Sequence, residues 1–294
     1  MLYRFQILLK EDKYMKRKLI VPKADGGITS CAKGGEWEQK ICQNPNVPIP
    51  EGFHHLLGTK AEGFVIQDEF GSEFTYIPVS ELVANGTLDG RNFNQKFGRR
   101  AFRGETFSKE AFYEKRNPAL ERSCEKYGGF YLSCFPISYG KGRLISKKGN
   151  MPIVEVKLSE AETLAATFTT KNVKAIVPSG AAYDSVCQWL IQSGQVSYEQ
   201  VVEDSTMIGN YWNSPNSTRK VLPTGSNEDW CVCNIYDLAG NTDEWTTENY
   251  RSSCVLRGGN YYNDGYDWPL ANRYGYCPDN SYSDTSFRVL LYVK

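Results

Sequence analysis

Cysteine, histidine and phosphate-binding motifs are the usual carriers of chemistry, and this sequence supplies few of them. The nine cysteines include one close pair, Cys231 and Cys233, but the single intervening residue is too short for a zinc knuckle. The two histidines, His54 and His55, are adjacent in an expected loop. No glycine-rich loop of the phosphate-binding or dinucleotide-binding type occurs. Histidine-based catalysis, zinc binding and nucleotide binding are therefore not indicated, and buried or inert thiols are the simpler interpretation.

Tyrosine is the unusual residue of this chain. There are 19 tyrosines, and a cluster of them lies between residues 261 and 282, in a segment otherwise rich in Asn, Asp, Ser and Gly. Tyrosine combines a rigid apolar ring with a hydroxyl group, and short polar residues add adaptable hydrogen bonds, so the composition is typical of recognition loops. The same residue types also form ordinary turns. Composition alone leaves both interpretations open.

The elements that would position this segment are short. A capping box over residues 159–162 predicts a helix to about Phe168, and a second helix is predicted between Ser179 and Gly194. Apolar residues of the second helix recur at helical spacing and should face the core: Ala182, Val186, Trp189 and Leu190. Beta-branched and aromatic runs on both sides of Gly71 predict a hairpin. We expect an α+β domain in which two helices accompany a mainly antiparallel sheet with long irregular loops.

The chain is expected to divide into an arm and one domain. Residues 1–50 mix charge with Gly and Pro and end in a proline-rich connector, which favours an N-terminal arm or linker. The domain then spans residues 51–294. It contains a polar insertion near 85–128, which is either solvated or closes with a short helix over 118–127, and a candidate variable region at 260–285.

Charge and hydropathy exclude several classes of protein. Lys plus Arg and Asp plus Glu both total 34, so the net charge is zero and no nucleic-acid partner is indicated. The apolar stretch Phe5 to Leu9 is too short for a signal peptide, and no stretch approaches the about 20 residues of a membrane span. An odd number of cysteines without framework spacing favours reduced thiols. We expect a protein made in the cytoplasm, without a signal peptide or a membrane span.

Three segments of the second half resemble a known family. Residues 234–246 (NIYDLAGNTDEWT), 255–261 (VLRGGNY) and 286–289 (SFRV) are similar, in order and spacing, to the YDMxGNVWEW, RGGSW and GFR motifs of the formylglycine-generating enzyme family, a branch of the C-type lectin fold. The resemblance covers about residues 60–294 and implies a C-type lectin-like α+β domain. Enzymes of the family oxidise a substrate cysteine with copper, oxygen and two active-site cysteines.

This chain departs from the family at both cysteine positions. Counted from Gly258 and Gly259, those positions hold Asn263 and Trp268, which cannot supply the thiolate that Cu(I) prefers. Cys277 is nearby but has no second cysteine beside it. We therefore expect the family's fold without its catalytic activity, since activity depends on the residues of the site and not on the scaffold. A copper-dependent oxidase with relocated thiols is the alternative.

A second resemblance is to the variable proteins of diversity-generating retroelements. Such elements rewrite template adenines, so that Asn codons become codons for Tyr, Asp, Ser, Gly, Cys or Thr within a fixed frame. Residues of these types recur after Arg257, interrupted by the fixed-type segments 271–273 and 278–280. Together with Trp268 they are the expected ligand-binding positions: Tyr262, Asn263, Asp264, Tyr266, Asp267, Trp268, Tyr274, Gly275, Tyr276, Cys277, Tyr282, Ser283 and Asp284.

The enzyme family also implies a calcium site. Asp237, Gly240, Thr242 and Glu244 coincide with positions where the family uses side-chain and carbonyl oxygens, the ligands that calcium prefers. The alternative is a turn in which the two carboxylates cap backbone N–H groups and Trp245 packs into the core. Arg257 and Arg288 are expected to hold framework carboxylates or carbonyls, because planar guanidinium groups suit fixed bidentate contacts.

These observations predict recognition without catalysis. The expected partner is an unknown protein or cell-surface ligand, bound by a hypervariable surface on a phage particle or at a cell surface. No cofactor is required, although calcium is a candidate. An inert structural tail or adhesin subunit is a third alternative.

Overall fold

A computed structural model describes residues 20–22, 28–30, 47–79, 112–215 and 217–294. The helices of this part are α1 (Pro118–Tyr127), α2 (Leu158–Ala166), α3 (Gly180–Gln192) and α4 (Tyr198–Val202), with short 3₁₀ turns at Thr206–Ile208 and Glu228–Trp230. The strands are β1 (Ile20–Pro22), β2 (Ile28–Ser30), β3 (Phe53–Leu57), β4 (Val65–Asp68), β5 (Glu73–Pro78), β6 (Phe112–Tyr113), β7 (Gly129–Ser133), β8 (Ser138–Gly140), β9 (Arg143–Ile145), β10 (Val173–Ile176), β11 (Cys231–Val232), β12 (Ile235–Tyr236), β13 (Asp243–Tyr250), β14 (Ser253–Arg257), β15 (Tyr274–Tyr276), β16 (Thr285–Ser286) and β17 (Leu290–Val293). Among these residues, no helix has the length and apolar composition needed to cross a bilayer.

The larger sheet is antiparallel and has six strands in the order β10-β17-β7-β5-β4-β3. The predicted hairpin is confirmed as β4 and β5, and Gly71 between them has a φ of +91° that glycine adopts without strain. The C-terminal strand β17 lies between β7 and β10, so the end of the chain is held inside the sheet.

The smaller sheet contains the motif segments. Its strands have the order β15-β14-β13-β16, in which β16 is parallel to β13, and β6 pairs with the far end of β13. Trp245 on β13 is fully buried, and its indole N–H donates to the carbonyl of Val156 at 2.8 Å. Trp245 shares one apolar cluster with Tyr76 and Tyr131 of the larger sheet. The two sheets are therefore joined by a common core.

The principal helix is confirmed. Ser179 caps α3 by accepting a hydrogen bond from the N–H of Ala182 at 3.1 Å. The four apolar residues predicted to face the core are all buried: Ala182, Val186, Trp189 and Leu190. Helix α2 also exists, but its start differs from the prediction. It begins at Leu158, and Glu160 reaches back to the N–H of Lys157 at 2.9 Å, so the capping carboxylate is Glu160 and not Glu162.

The other helices lie where the sequence pattern was weak. Helix α1 packs into the core through Leu120 and Cys124 and ends at Gly128, so residues 118–128 of the predicted polar insertion belong to the folded domain. Helix α4 has five residues, too few for a periodic signal, and was not predicted. Residues 85–111 of the insertion and most of the predicted arm 1–50 lie outside the described residues. Val47, at the end of that arm, is buried.

Candidate functional site

One buried ion pair links two of the motif segments. Arg288 donates from Nε to Glu244 at 2.6 Å and from its other nitrogens to the carbonyls of Ser133 and Tyr236. Both charged side chains are almost fully buried. Burial raises the pKa of Glu244 to about 7, and the charge of Arg288 opposes that shift. Arg288 therefore holds framework groups, as its motif position predicts.

A second buried network attaches the predicted variable region to α3. Asp184 on α3 accepts from Arg257 at 2.9 Å and also from Arg273, and Glu248 on β13 accepts from Arg273 Nε at 3.0 Å. The guanidinium of Arg257 lies 4.4 Å from the ring centre of Tyr183. All four charged side chains are at most 4% exposed. Because Arg273 lies in the middle of the variable region, this network fixes that region's backbone to the core.

Asn260 joins the two ends of the same region. Its side-chain N–H₂ donates to Asp243 at 2.7 Å and to Asp284 at 3.1 Å, and its side-chain oxygen accepts from the N–H of Tyr262 at 2.8 Å. Its backbone N–H donates to the Asn263 side chain at 2.9 Å. Burial, followed by the charge of Asp284, raises the pKa of Asp243 to about 8. One buried residue thus holds the first turn of the region against its last residues.

Gly265 anchors the centre of the first loop. Its carbonyl accepts from the N–H of Ser205 at 2.9 Å, and its N–H donates to the Asn213 side chain at 3.2 Å. A Cβ at this position would lie 2.3 Å from the backbone nitrogen of Thr206, so the close approach requires glycine. The N–H of Leu270 also donates to Ser205 Oγ at 2.8 Å. The loop is therefore pinned to the segment around residue 205.

Every residue predicted to contact a ligand has some solvent exposure, and none is classed as buried. Tyr262 is 64% exposed and Tyr266 is 51% exposed. Residues 269–273, which follow within the same segment, are buried. The segment therefore alternates between accessible positions and positions held in the core.

Aromatic rings on this surface are in mutual contact. Trp268 and Tyr274 have ring centres 4.6 Å apart, Tyr274 and Tyr276 4.9 Å, and Tyr276 and Tyr282 4.2 Å. The first two of these separations lie in the range of favourable aromatic pairs. We call these four residues the aromatic stripe. Rings that support one another lose less freedom when a ligand binds, which favours recognition.

Some of the predicted contact positions also hold the local backbone. The Asp264 carboxylate accepts from the N–H groups of Tyr266 at 3.0 Å and Asp267 at 2.6 Å, as in an Asx turn. Asn263 accepts a hydrogen bond from the backbone N–H of Asn260, and Asp284 accepts one from its side-chain N–H₂. Substitution of these three polar residues would alter loop shape as well as surface chemistry.

Two exposed apolar residues beside this region were not predicted. Met207 is 61% exposed and Trp212 is 43% exposed, and both lie on the segment that anchors Gly265. The backbone N–H of Trp212 donates to the carbonyl of Asn263 at 2.9 Å. Single apolar residues in a polar loop give no periodic signal, so only their proximity to the variable region reveals them. We call the predicted positions together with Met207 and Trp212 the recognition surface.

The donors at the family's two cysteine positions do not fit copper. Asn263 offers an amide that is already hydrogen-bonded, and Trp268 offers an indole. Cys254 lies on β14, and burial raises the pKa of its thiol to about 11, which disfavours the thiolate that Cu(I) binds. Cys277 is exposed. In the described part of the chain, no three His, Cys, Asp or Glu side chains are grouped so as to hold a metal ion.

Three of the four residues of the predicted calcium site use an oxygen in a protein hydrogen bond or ion pair, whereas the side-chain oxygen of Thr242 is buried without a hydrogen-bond partner. Asp237 accepts from a backbone N–H at 2.7 Å, the carbonyl of Gly240 accepts from the N–H of Thr242 at 2.8 Å, and Glu244 forms its ion pair with arginine. The guanidinium already supplies positive charge here, so this arrangement does not fit a divalent cation. Of the turn alternative, the Asp237 contact to a backbone N–H and the buried Trp245 are present, whereas Glu244 pairs with Arg288 and not with a backbone N–H.

A comparison with protein families identifies the scaffold. Residues 132–293 match the family described as the sulfatase-modifying factor enzyme 1-like domain. The match covers more than half of the chain, so the chain belongs to this family. The resemblance carried by the motif segments is confirmed, together with the C-type lectin-like α+β fold that it implies. A search of curated proteins found no match.

Several solved structures are similar to this chain. PvdO from Pseudomonas aeruginosa shares 15% identity, with 78% of this chain and 97% of that chain covered and a TM-score of 0.48. Treponema denticola variable protein 1 shares 13% identity, with 83% and 92% covered and a TM-score of 0.32. The Major Tropism Determinant U1 variant shares 13% identity, with 94% and 72% covered and a TM-score of 0.37. Identities this low do not transfer activity.

Proposed function

We propose that this chain is a non-catalytic ligand-binding protein whose recognition surface is diversified by a retroelement. The ligand is a protein or a cell-surface molecule. No metal or cofactor takes part in binding. Display on a phage particle or at a cell surface follows from this role, because the recognition surface acts only where it meets its ligand.

The observation that carries the proposal is the division of one segment into accessible and buried positions. All thirteen positions assigned to ligand contact are exposed or half-buried, whereas Ala271, Asn272 and Arg273 between them are buried. Substitution of exposed side chains typically changes stability by less than about 0.5 kcal/mol. Apart from Asn263, Asp264 and Asp284, which also hold the backbone, the accessible positions can therefore change while buried anchors keep the course of the chain.

The chemistry of the accessible positions supports binding. Tyrosine supplies large contact area at low entropic cost, and Asp, Asn and Ser supply hydrogen bonds that suit many partners. The aromatic stripe and the exposed Met207 and Trp212 extend this apolar surface beyond the variable positions. Aromatic residues and methionine are enriched where proteins bind one another.

The codon pattern supports diversification. The residue types at the accessible positions, Trp268 excepted, are those reached from Asn codons by changes at adenines. The test is to sequence the DNA around the gene. We expect a near-copy of the segment that encodes residues 260–285, differing from the gene almost solely at adenines. Absence of such a copy would contradict diversification and favour an inert structural subunit.

Family membership makes the oxidase the competing function, and a direct assay separates the two. The protein is incubated with copper, oxygen and a cysteine-containing sulfatase peptide, and the products are examined by mass spectrometry for the aldehyde. We expect none, because Asn263 and Trp268 replace the cysteine pair. Aldehyde formed over many turnovers would refute the non-catalytic proposal.

A further inference from the structure

The accessible side chains of the recognition surface carry negative charge. Asp264, Asp267 and Asp284 belong to this surface, and the exposed Asp279 lies beside it in the segment 278–280. Between Gly258 and Val293 the sequence has two basic residues, Arg273 and Arg288. Both are buried and paired with carboxylates of the framework. The ligand therefore meets aspartates and no exposed basic residue of this segment.

The elements packed against the surface do not reverse this balance. The segment that anchors Gly265 contributes Asp204, and the residues leading into α2 and its first turns contribute Glu155, Lys157, Glu160 and Glu162. In the part of the chain that the structure describes, the nearby basic side chains are Lys157, Arg219 and its neighbour Lys220, and Arg251. Arg219 lies 5.3 Å from the ring centre of Trp212, and Arg251 lies 5.2 Å from that of Tyr250. Among the described residues, carboxylates therefore outnumber cations around the recognition surface.

The aromatic rings favour a positively charged ligand, as the aspartates do. The faces of Tyr and Trp rings attract cations, and the guanidinium of arginine both stacks on a ring and pairs with a carboxylate. Tyr266 and Asp267 are adjacent and exposed, and Tyr276 lies three residues before Asp279. Rings and carboxylates therefore follow one another closely along this segment, and a lysine or arginine side chain can engage groups of both kinds.

From this charge complementarity we propose that the recognition surface of this sequence binds a basic segment of a protein, with lysine or arginine side chains placed between its tyrosines and aspartates. The inference rests on the proposed ligand-binding function and specifies the chemistry of the ligand. Aspartates on the surface steer the encounter and select the partner, and the rings supply the contact area.

The test selects ligands from a random library. The full chain is immobilised, a phage-displayed library of random linear peptides is panned against it, and enriched peptides are synthesised for binding measurements. The test variant is Asp267→Asn with Asp279→Asn, since both side chains are exposed. The matched control is Glu69→Gln with Glu125→Gln, which removes the same charge at exposed positions away from the recognition surface.

We expect the enriched peptides to contain more Lys and Arg than the unselected library. The affinity of these peptides for the aspartate variant should be about tenfold lower than for the unaltered protein, which is a loss on the scale of one charged contact. Their affinity for the control variant should be unchanged. Higher salt should weaken binding, because exposed charges are screened.

Two other outcomes overturn the inference in distinguishable ways. Peptides without basic enrichment whose binding is lost on Tyr266→Ala and Tyr276→Ala would refute a basic ligand and leave the proposed function standing. Failure to enrich any peptide would count against both the basic ligand and the proposed function. So would enrichment of peptides whose binding is unchanged by the tyrosine substitutions.

Discussion

Arg273 connects an exposed segment to the core through a single side chain. It lies among Tyr and Asp residues of the recognition surface, yet it is 3% exposed and pairs with Asp184 and Glu248. Each carboxylate comes from a different element, α3 or β13. Removing one partner of such a network leaves the others charged and without water, which is costly.

Arg273→Ala is therefore expected to lower the free energy of unfolding by about 3–5 kcal/mol. Ser283→Ala, in the same segment but exposed, should change it by less than about 0.5 kcal/mol. Urea unfolding followed by tryptophan fluorescence measures both. Similar small effects of the two substitutions would show that Arg273 does not anchor the segment.

Asp243 gives a prediction about pH. Its pKa is raised by burial to about 8 in the folded protein, and in the unfolded chain it returns to about 4. Between these values the folded state binds the proton more tightly, so this residue makes stability fall as pH rises, by at most about 1.4 kcal/mol per pH unit. Asp243→Asn keeps an oxygen for Asn260 and should flatten the decline in that window. Parallel stability curves for the two proteins, measured by urea unfolding across this pH range, would contradict the assignment.

At the scale of elements, the recognition surface is a set of loops attached at a few points to rigid neighbours. Gly265 is held by the segment at residues 205–213, Asn260 binds both ends of the region, and β15 pairs with β14. Loops positioned by a scaffold in this way can change side chains without losing their backbone course.

Gly265→Ala tests this attachment. The added methyl group would meet the backbone of Thr206 at 2.3 Å, so the loop must move, and overpacking of this kind typically costs about 1–3 kcal/mol. We expect amide chemical shifts to change in residues 204–214 and 262–270 while those of the six-stranded sheet stay constant. Shifts spread evenly over the domain would contradict a local anchor. For the same reason, diversified copies of the gene should keep Gly265 while Tyr266 varies.

At the scale of the whole molecule, the core that two sheets share meets the recognition surface at Tyr276 and Tyr282, which are half-buried and pack against it. Strand β17 lies inside the larger sheet, and Trp245 joins the sheets from the smaller one. The buried Arg288–Glu244 pair lies between these elements, in the place where a calcium site was predicted. Stability is thus expected to depend on apolar burial and this ion pair.

Thermal unfolding with and without a calcium chelator should give the same midpoint. A ligand that binds only the native state raises the midpoint, and the carboxylates of Asp237 and Glu244 are bonded to protein groups instead. A midpoint several degrees higher in millimolar calcium would show that these bonds give way to the ion.

The sequence by itself determined the motif framework, helix α3 and the character of the exposed segment. Capping by Ser179, periodic apolar residues and a tyrosine-rich composition are local properties, and local properties can be recognised without coordinates. It could not determine the five-residue α4 or the capping residue of α2, because short elements depend on packing more than on propensity.

Only the tertiary structure decided which residues hold the surface and which extend it. Arg273 meets Asp184 across 89 positions of sequence, and Gly265 requires glycine because of a backbone 59 positions earlier, at Thr206. Met207 and Trp212 lie beside the surface because their segment is hydrogen-bonded to the backbone of Gly265 and Asn263. Such relations depend on how distant segments pack, and no local pattern of residue types records them.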